Sequence, residues 1–349
     1  MKKRSLVVVS KDNGDTKTLL PIVQAARCFG YHVMVFAEGV GVAHYAKEGV
    51  ATFFSDAPNP DPHSSFDFVS LFSCVRPHAV LVGFPFPNNL SHQASAAANL
   101  KGITLIGVED NWGGVKRNSE YQYACVLTID EYAKDLASPF VNPDNIVIIG
   151  NHAIPGAEYH PHSSVSEQMK ALRMKFDSIF VYGGGGEYTT DELRLLVSSL
   201  ERTPGNWCLI PRYHPNYKKK TAEEIGDSRS FEKVWDELLL PIQDRVVRVD
   251  EGNSDDMAML CDAYFSGWGS SMSTAISCGK PTIAVSTEAT QKALYEHCLD
   301  VVPAVYIGGA HLLQKTQDIS PLLVAPPISV QKNLFPLNPG RAVDVINRL

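Results

Sequence analysis

Short runs of aliphatic and β-branched residues alternate with amphipathic segments along the chain, and this alternation constrains the fold more than any other feature. Such runs are typical of parallel strands buried on both faces, and the amphipathic segments supply crossover helices. The predicted strands are 6–10, 33–37, 51–55, 79–84, 104–108, 125–129, 145–150, 178–183, 207–211, 246–249, 263–267 and 282–285. The predicted helices include 16–29, 89–100, 189–201, 218–239, 254–261 and 271–278. The pattern predicts an α/β fold with doubly wound parallel sheets.

The segment 150–168 divides this pattern into two halves. It contains Gly, Pro, His and Ser without periodicity, as expected of a linker. We predict Rossmann-like domains over 1–152 and 153–335, with a terminal helix within 336–349. Because doubly wound sheets bind ligands at the carboxyl ends of their strands, we expect the two domains to face each other across a cleft. The functional residues are then expected in the loops that follow strands.

Composition excludes several classes of protein. The 349 residues are 44% hydrophobic, which is enough to fill two cores, and the net charge of −7 argues against non-specific nucleic-acid binding. Seven scattered cysteines without a CxxC spacing predict neither a disulfide framework nor a zinc site, and they favour a cytoplasmic location. No apolar run approaches the roughly 18 residues of a membrane span. We expect no metal and no cofactor, while peripheral membrane contact and self-association stay open.

The loop after the first strand, "SKDNGDTKT", is the first candidate site. Asp12, Gly14 and Asp15 form a turn, and either an ordinary capped helix start or a ligand site explains them. In the second interpretation Gly14 lies at the substrate, and Asp12 or Asp15 orients or deprotonates an acceptor hydroxyl. The loop lacks the GxGxxG pattern of dinucleotide-binding proteins.

A second polar loop, "GVEDNWGGVKR", follows the strand at 104–108. Glu109 and Asp110 are candidate general bases, and Asn111 and Trp112 are candidate sugar contacts. An aromatic ring stacks on the apolar face of a sugar while carboxylates accept its hydroxyls. A glycine-rich turn around a half-buried Trp is the structural alternative.

In the second half, four glycines follow the strand at 178–183. Gly184, Gly185 and Gly186 allow close approach of backbone to a ligand, and the helix that starts after them points its N-terminus at it. The loop predicts a phosphate site, although the Lys-Ser/Thr of a P-loop is absent.

Two further loops supply positive charge and free N–H groups. Arg212 and His214, in "LIPRYHPN", suit a diphosphate, and His214 is also a candidate proton donor. In "YFSGWGSSMSTAISCGKPTIAV", Ser270 and Ser271 begin a helix, where hydroxyls and backbone N–H groups bind anions or diols.

These motifs, in this order, resemble the carboxyl-terminal domain of GT-B-fold nucleotide-sugar enzymes. That superfamily includes surface-polysaccharide glycosyltransferases and UDP-N-acetylglucosamine 2-epimerases. In the amino half, "TLLPIVQAARCFGYHVMVFAEGVG" and "LTIDEYAKDLA…NIVIIGNHA" resemble segments of the same enzymes. The resemblance implies that the glycine loop, Arg212, His214, Ser270 and Ser271 contact the donor. Relatives commonly carry a ribose-binding glutamate where this chain has Thr274.

The resemblance implies a metal-independent glycosyltransferase that uses a nucleotide-sugar donor and a hydroxyl acceptor. Its pathway would be surface glycan or glycoconjugate synthesis. A nucleotide-sugar 2-epimerase and a non-catalytic binding protein of the same fold are the alternatives.

Overall fold

A computed structural model describes residues 4–53, 66–84, 90–156, 158–185, 189–213, 230–249 and 251–349. Its strands are β1 (Ser5–Ser10), β2 (His32–Ala37), β3 (Ala79–Gly83), β4 (Thr104–Val108), β5 (Cys125–Thr128), β6 (Ile146–Ile148), β7 (Ser178–Gly183), β8 (Trp207–Arg212), β9 (Ala263–Ser266), β10 (Thr282–Val285) and β11 (His311–Leu313). Every pairing between these strands is parallel, so the predicted α/β class with two parallel sheets is confirmed.

Helices follow most of the strands. They are α1 (Asn13–Cys28), α2 (Val40–Lys47), α3 (Phe68–Val75), α4 (Leu90–Lys101), α5 (Gly114–Arg117), α6 (Glu131–Ala137), α7 (Ser163–Arg173), α8 (Thr189–Leu200), α9 (Phe231–Leu239), α10 (Ser254–Leu260), α11 (Ser270–Ser277), α12 (Glu288–Glu296), α13 (Pro303–Tyr306), α14 (Ile328–Asn333) and α15 (Pro339–Arg348). None of the helices in the described ranges combines the length and the apolar composition needed to cross a bilayer.

Contacts divide the chain into two compact units. The first unit consists of Met1–His152 and Pro336–Leu349, and the second of Ala153–Phe335. The terminal segment therefore belongs to the first unit. Ala342, Val343 and Ile346 of α15 are buried in the same apolar cluster as residues of α1, because the helix turns one apolar stripe towards that core.

The sheet of the first unit has the order β2-β1-β3-β4-β5-β6. Successive side chains point to opposite faces, so Leu6 and Val8 lie in one apolar cluster while Val7 and Val9 lie in the other. The chain runs from β1 to β2 on one side and then continues with β3 on the other side of β1. This reversal opens a crevice at the carboxyl ends of β1 and β3, where doubly wound sheets bind their ligands.

The second unit repeats the scheme with the order β11-β10-β9-β7-β8. Its core packs large side chains such as Tyr182, Trp207 and Trp235 between the sheet and its helices. Here the strand order reverses between β7 and β9, so the glycine-rich loop after β7 lies next to the loop after β9.

Three differences from the predicted elements occur at sheet edges. The predicted strand 51–55 has one bridge, between Thr52 and Val35, and its last two residues lie outside the described ranges. The predicted strand 246–249 likewise has one bridge, from Val246 to Leu209. The three-residue β11 was not predicted because it is too short to show a period. Of the predicted helix 218–239, residues 218–229 lie outside the described ranges and α9 covers 231–239.

Candidate functional site

Three carboxylates meet at the N-terminus of α1 in the first unit. Asp12 is the N-cap residue, and its Oδ1 accepts a hydrogen bond from the Asp15 N–H at 3.1 Å. Asp110, after β4, reaches the same turn, because a Cβ at Gly14 would overlap its Oδ2. Gly83 makes similar room for the Asp15 side chain. The loops after β1 and β4 thus bring Asp12, Gly14, Asp15 and Asp110 together.

Burial and mutual repulsion control the protonation of this cluster. Burial, together with the carboxylates of Asp12 and Asp110, raises the pKa of Asp15 well above its usual range. Burial and the charge of Asp12 also raise the pKa of Asp110. Asp15 is fully buried and Asp110 is 8% exposed, whereas Asp12 is half-buried. The site therefore holds protons near neutral pH that isolated aspartates would release.

Polar groups beneath the cluster fix the Asp15 carboxylate. The Lys11 N–H donates to Asp15 Oδ2 at 2.9 Å, and Thr16 Oγ1 lies 3.4 Å from Asp15 Oδ1. The hydroxyls of Ser10 and Tyr45 continue this row into the core. These bonds hold the Asp15 carboxylate in place, and Asp12 is the most exposed of the three carboxylates.

The loop after β4 is folded tightly onto itself. Glu109 Oε1 accepts from the Val115 N–H at 3.0 Å, and burial raises the pKa of Glu109 to about 8. The Trp112 indole N–H donates to Asp130 Oδ2 at 2.9 Å, and the side chain is 5% exposed. Asn111 is half-buried beside them. Glu109, Asp110 and Trp112 are thus all buried, and Glu109 and Trp112 are engaged in hydrogen bonds within the first unit.

Packing accounts for two of the glycines after β7 in the second unit. A Cβ at Gly183 would overlap the Tyr264 hydroxyl, and one at Gly184 would lie 2.5 Å from the Trp235 ring. Gly185 is half-buried, and Gly186 lies outside the described residues. Gly183 and Gly184 therefore pack closely against aromatic side chains. They lie at the carboxyl end of β7, the switch point at which the strand order of this sheet reverses.

The turn after β9 lies directly beside this glycine loop. Ser266 Oγ donates to the Gly183 carbonyl at 2.8 Å and so ties the two loops together. The turn continues through Gly267 to Gly269, the N-cap residue of α11, and no side chain among the described residues caps this helix. Ser270 is exposed, and Ser271 hydrogen-bonds Tyr264. The Met272 N–H donates to the Gly269 carbonyl at 3.0 Å, so the N–H groups of Ser270 and Ser271 are the ones at this helix start that suit an anion.

Arg212 and Thr274 make contacts within the second unit that the sequence did not reveal. The Arg212 guanidinium donates to the carbonyls of Val249, Glu251 and Gly252, so it fixes the loop before α10. Thr274 is fully buried, and its Oγ1 lies 2.7 Å from the Ala153 carbonyl and 3.0 Å from Asp255 Oδ1. His214 lies outside the described ranges.

The described residues contain no group of three or more His, Cys, Asp or Glu side chains placed to hold a metal ion. Two buried polar features escaped the sequence analysis, the row of hydroxyls next to Asp15 and a buried glutamate, Glu192, on α8. Glu192 is visible in the sequence only as an acid in a first helical turn. Its partner Thr290 is 98 residues away, and no local pattern reports such a contact.

Solved structures of the same architecture are found at low sequence identity. A glycosyltransferase from Rickettsia africae ESF-5 has a TM-score of 0.64 and 12% identity, with 100% of this chain and 99% of that chain covered. S. aureus MnaA, solved with UDP, has a TM-score of 0.63 and 12% identity, with 98% and 94% covered. UDP-GlcNAc 2-epimerase from Neisseria meningitidis, solved with UDP-GlcNAc, has a TM-score of 0.61 and 15% identity, with 99% and 100% covered.

No family model and no curated protein matches the sequence. The structural matches cover nearly all of the chain, and they include both kinds of enzyme that the sequence motifs resemble. The chain therefore has the GT-B fold, the architecture shared by these glycosyltransferases and UDP-GlcNAc 2-epimerases.

Proposed function

We propose that the protein is a nucleotide-sugar enzyme, and specifically a glycosyltransferase that moves a sugar from a nucleoside-diphosphate donor to an acceptor hydroxyl. The proposal rests chiefly on the pair of loops at the switch point of the second unit. The bond from Ser266 Oγ to the Gly183 carbonyl joins the ends of β7 and β9 there, directly before the glycine loop and before the turn that leads to the N-terminus of α11. Backbone N–H groups and a helix dipole at one point stabilise the charge of a leaving diphosphate.

The first unit would supply the general base. A base is most effective when its pKa lies near the working pH, and burial with the charge of Asp12 moves the pKa of Asp110 upward in that direction. Asp110 then accepts the acceptor proton, and the neighbouring Asp12 tunes its pKa. Asp15 stays buried beneath them and holds the turn.

Anion binding is tested with UDP as the probe. The Ser270→Asp variant places a negative charge at the first position of α11. This charge interacts favourably with the helix dipole but repels a bound diphosphate. We expect calorimetry to show UDP binding weakened by at least about tenfold. Ser163→Asp makes the same change at the first position of α7 and is the matched control. Equal UDP affinity in the wild type and Ser270→Asp would contradict the proposed site.

The base is tested by the release of UDP from a UDP-sugar in the presence of hydroxyl acceptors. We expect Asp110→Asn to lower kcat by about 10²–10⁴-fold, the usual range for general-base catalysis. Asp12→Asn keeps an N-cap side chain but removes a charge, so the pKa of Asp110 falls and the acid limb of the pH–rate profile moves to lower pH. An acid limb at the same pH in the wild type and Asp12→Asn would contradict the proposal that the charge of Asp12 raises the pKa of Asp110.

A 2-epimerase is the second candidate, because UDP-GlcNAc 2-epimerase from N. meningitidis has this architecture. Such an enzyme abstracts a proton at C2 and needs no acceptor. Incubation with UDP-GlcNAc in D2O distinguishes the two reactions. If deuterium is incorporated at C2 of the sugar in the absence of an acceptor, the protein is an epimerase. If UDP is released only when an acceptor is present, it is a transferase.

A further inference from the structure

The second unit contains a carboxyl group that is completely shielded from solvent. Glu192, in the first turn of α8, is 0% exposed. Its Oε1 lies 2.8 Å from Thr290 Oγ1, and its Oε2 lies 2.8 Å from the Tyr182 hydroxyl. The Gly267 N–H is a third hydrogen-bond partner. A buried carboxyl group is tolerated only with such partners, and these come from β7, α12 and the turn after β9.

Gly267 is adapted to this carboxyl group. A Cβ at Gly267 would overlap Glu192 Oε1, so the carboxyl oxygen fills the space that a side chain would need. The φ angle of Gly267 is not among the positive values in the chain, so close approach, and not a left-handed backbone, explains the glycine. The position of the turn therefore depends directly on the position of Glu192.

We propose that Glu192 is a positioning residue that fixes the backbone of the Gly267–Gly269 turn and thereby orients the N-terminus of α11 towards a bound diphosphate. This inference rests on the proposed function of that N-terminus. Glu192 itself does not touch the ligand. It acts through the Gly267 N–H on one side, while Tyr182 and Thr290 hold the carboxyl group in place on the other.

The hydrogen-bond pattern defines which replacement preserves this role. Burial raises the pKa of Glu192 to about 8, so the group is mainly a neutral acid at pH 7. A neutral acid donates one hydrogen bond, and Tyr182 can accept it because its own hydroxyl proton reaches the Thr189 carbonyl, 3.3 Å away. Glutamine provides the same shape, one acceptor oxygen and an N–H donor, whereas leucine provides volume alone.

The experiment compares Glu192→Gln, Glu192→Leu and the control Asp191→Asn in the full chain. Asp191→Asn removes a charge from the adjacent residue, which forms an exposed ion pair with Arg194. Two quantities are measured, the Kd for UDP and the amide exchange of segment 264–272 in the free protein. We expect Glu192→Leu to weaken UDP binding by about tenfold and to accelerate exchange in the segment by a similar factor. Glu192→Gln and Asp191→Asn are expected to match the wild type.

The two measurements separate this inference from the proposed function. If the wild type binds no UDP, the proposed function fails, and exchange in segment 264–272 still decides the positioning role. Unchanged exchange in Glu192→Leu would overturn the inference, as would a glutamine variant that behaves like leucine. If Glu192→Leu does not fold, Tyr182→Phe removes one partner and keeps the ring. Faster exchange at Gly267 in that variant supports the role, and unchanged exchange overturns it.

Discussion

At the scale of single residues, close approach explains two glycines that sequence analysis assigns to ligand binding, and a third that it does not. Gly14 makes room for Asp110, Gly184 for the Trp235 ring, and Gly267 for Glu192. Each contact joins residues that are far apart in the chain. Burial also raises the pKa values of Asp15 and Glu109 above those of solvent-exposed acids, since it disfavours the charged form.

Gly14→Ala tests the contact with Asp110. Alanine normally favours a helix, but here its Cβ must displace the Asp110 carboxylate, so we expect a loss of about 1–3 kcal/mol in the free energy of unfolding. Chemical denaturation measures it. In the Asp110→Ala background the same change should cost little, and a full cost there would contradict the contact. Gly156→Ala is the control because its Cβ would meet nothing within 4 Å.

Glu109→Gln tests the buried acid through the pH dependence of stability. The folded protein keeps the proton up to a pKa of about 8, while the unfolded chain releases it near the ordinary value of 4.5. The protonated Glu109 therefore contributes fully to the free energy of unfolding below pH 4.5. This contribution is lost as the pH rises towards 8. The titration of Glu109 contributes a slope of up to about 1.4 kcal/mol per pH unit.

Glutamine does not titrate, so the unfolding free energy of Glu109→Gln should fall less steeply between these pH values. Denaturation midpoints recorded from pH 4.5 to 8 provide the measurement. The exposed Glu48→Gln variant serves as the control and should keep the wild-type slope. Parallel curves for the wild type and Glu109→Gln would show that Glu109 ionises normally.

At the scale of elements, helix starts combine two roles in this fold. Asp12 and Asp130 cap α1 and α6 and also belong to the polar clusters of the first unit. The start of α12 also has two roles, because Thr287 and Thr290 form a capping box there and Thr290 hydrogen-bonds Glu192. The start of α11 differs from these, because its N-cap residue is a glycine without a capping side chain, as is also the case at α2 and α5.

Removal of the α12 cap should reduce the stability of the protein. We expect Thr287→Ala to lower the free energy of unfolding by about 0.5–2 kcal/mol, because the Thr290 N–H loses its acceptor at 3.2 Å. Thr287→Ser keeps the hydroxyl and is the matched control. Thermal or chemical denaturation measures the difference, and an alanine variant as stable as the serine variant would refute the capping role.

At the scale of the whole molecule, each unit has its own core, and the chain returns to the first unit at its end. Residues 336–349 contribute Val343 and Ile346 to the apolar cluster that also contains Leu19 of α1. The Tyr31 hydroxyl donates to Asn347 Oδ1 at 2.6 Å and joins the same helix to the start of β2. The first unit is thus assembled from both ends of the chain.

Termination of the chain after residue 335 should weaken the first unit selectively. Loss of α15 exposes the face of α1 that it covers, at a cost of about 1.5–3 kcal/mol for each large buried side chain removed. Amide exchange should accelerate in β1 and stay unchanged in β7. Equal acceleration in both strands would show that the two units unfold together.

The alternation of apolar runs determined the fold class, the two sheets and most strands, since a buried parallel strand needs an apolar side chain at nearly every position. It could not distinguish a strand from a single bridge, as at Thr52 and Val246, because edge pairing depends on neighbours from elsewhere in the chain. The sequence also placed Asp12, Asp15, Asp110 and Ser270 at strand ends or helix starts. Only tertiary structure brought Asp110 onto Gly14 and Glu192 onto Gly267, because those contacts arise when the strand order reverses within each sheet.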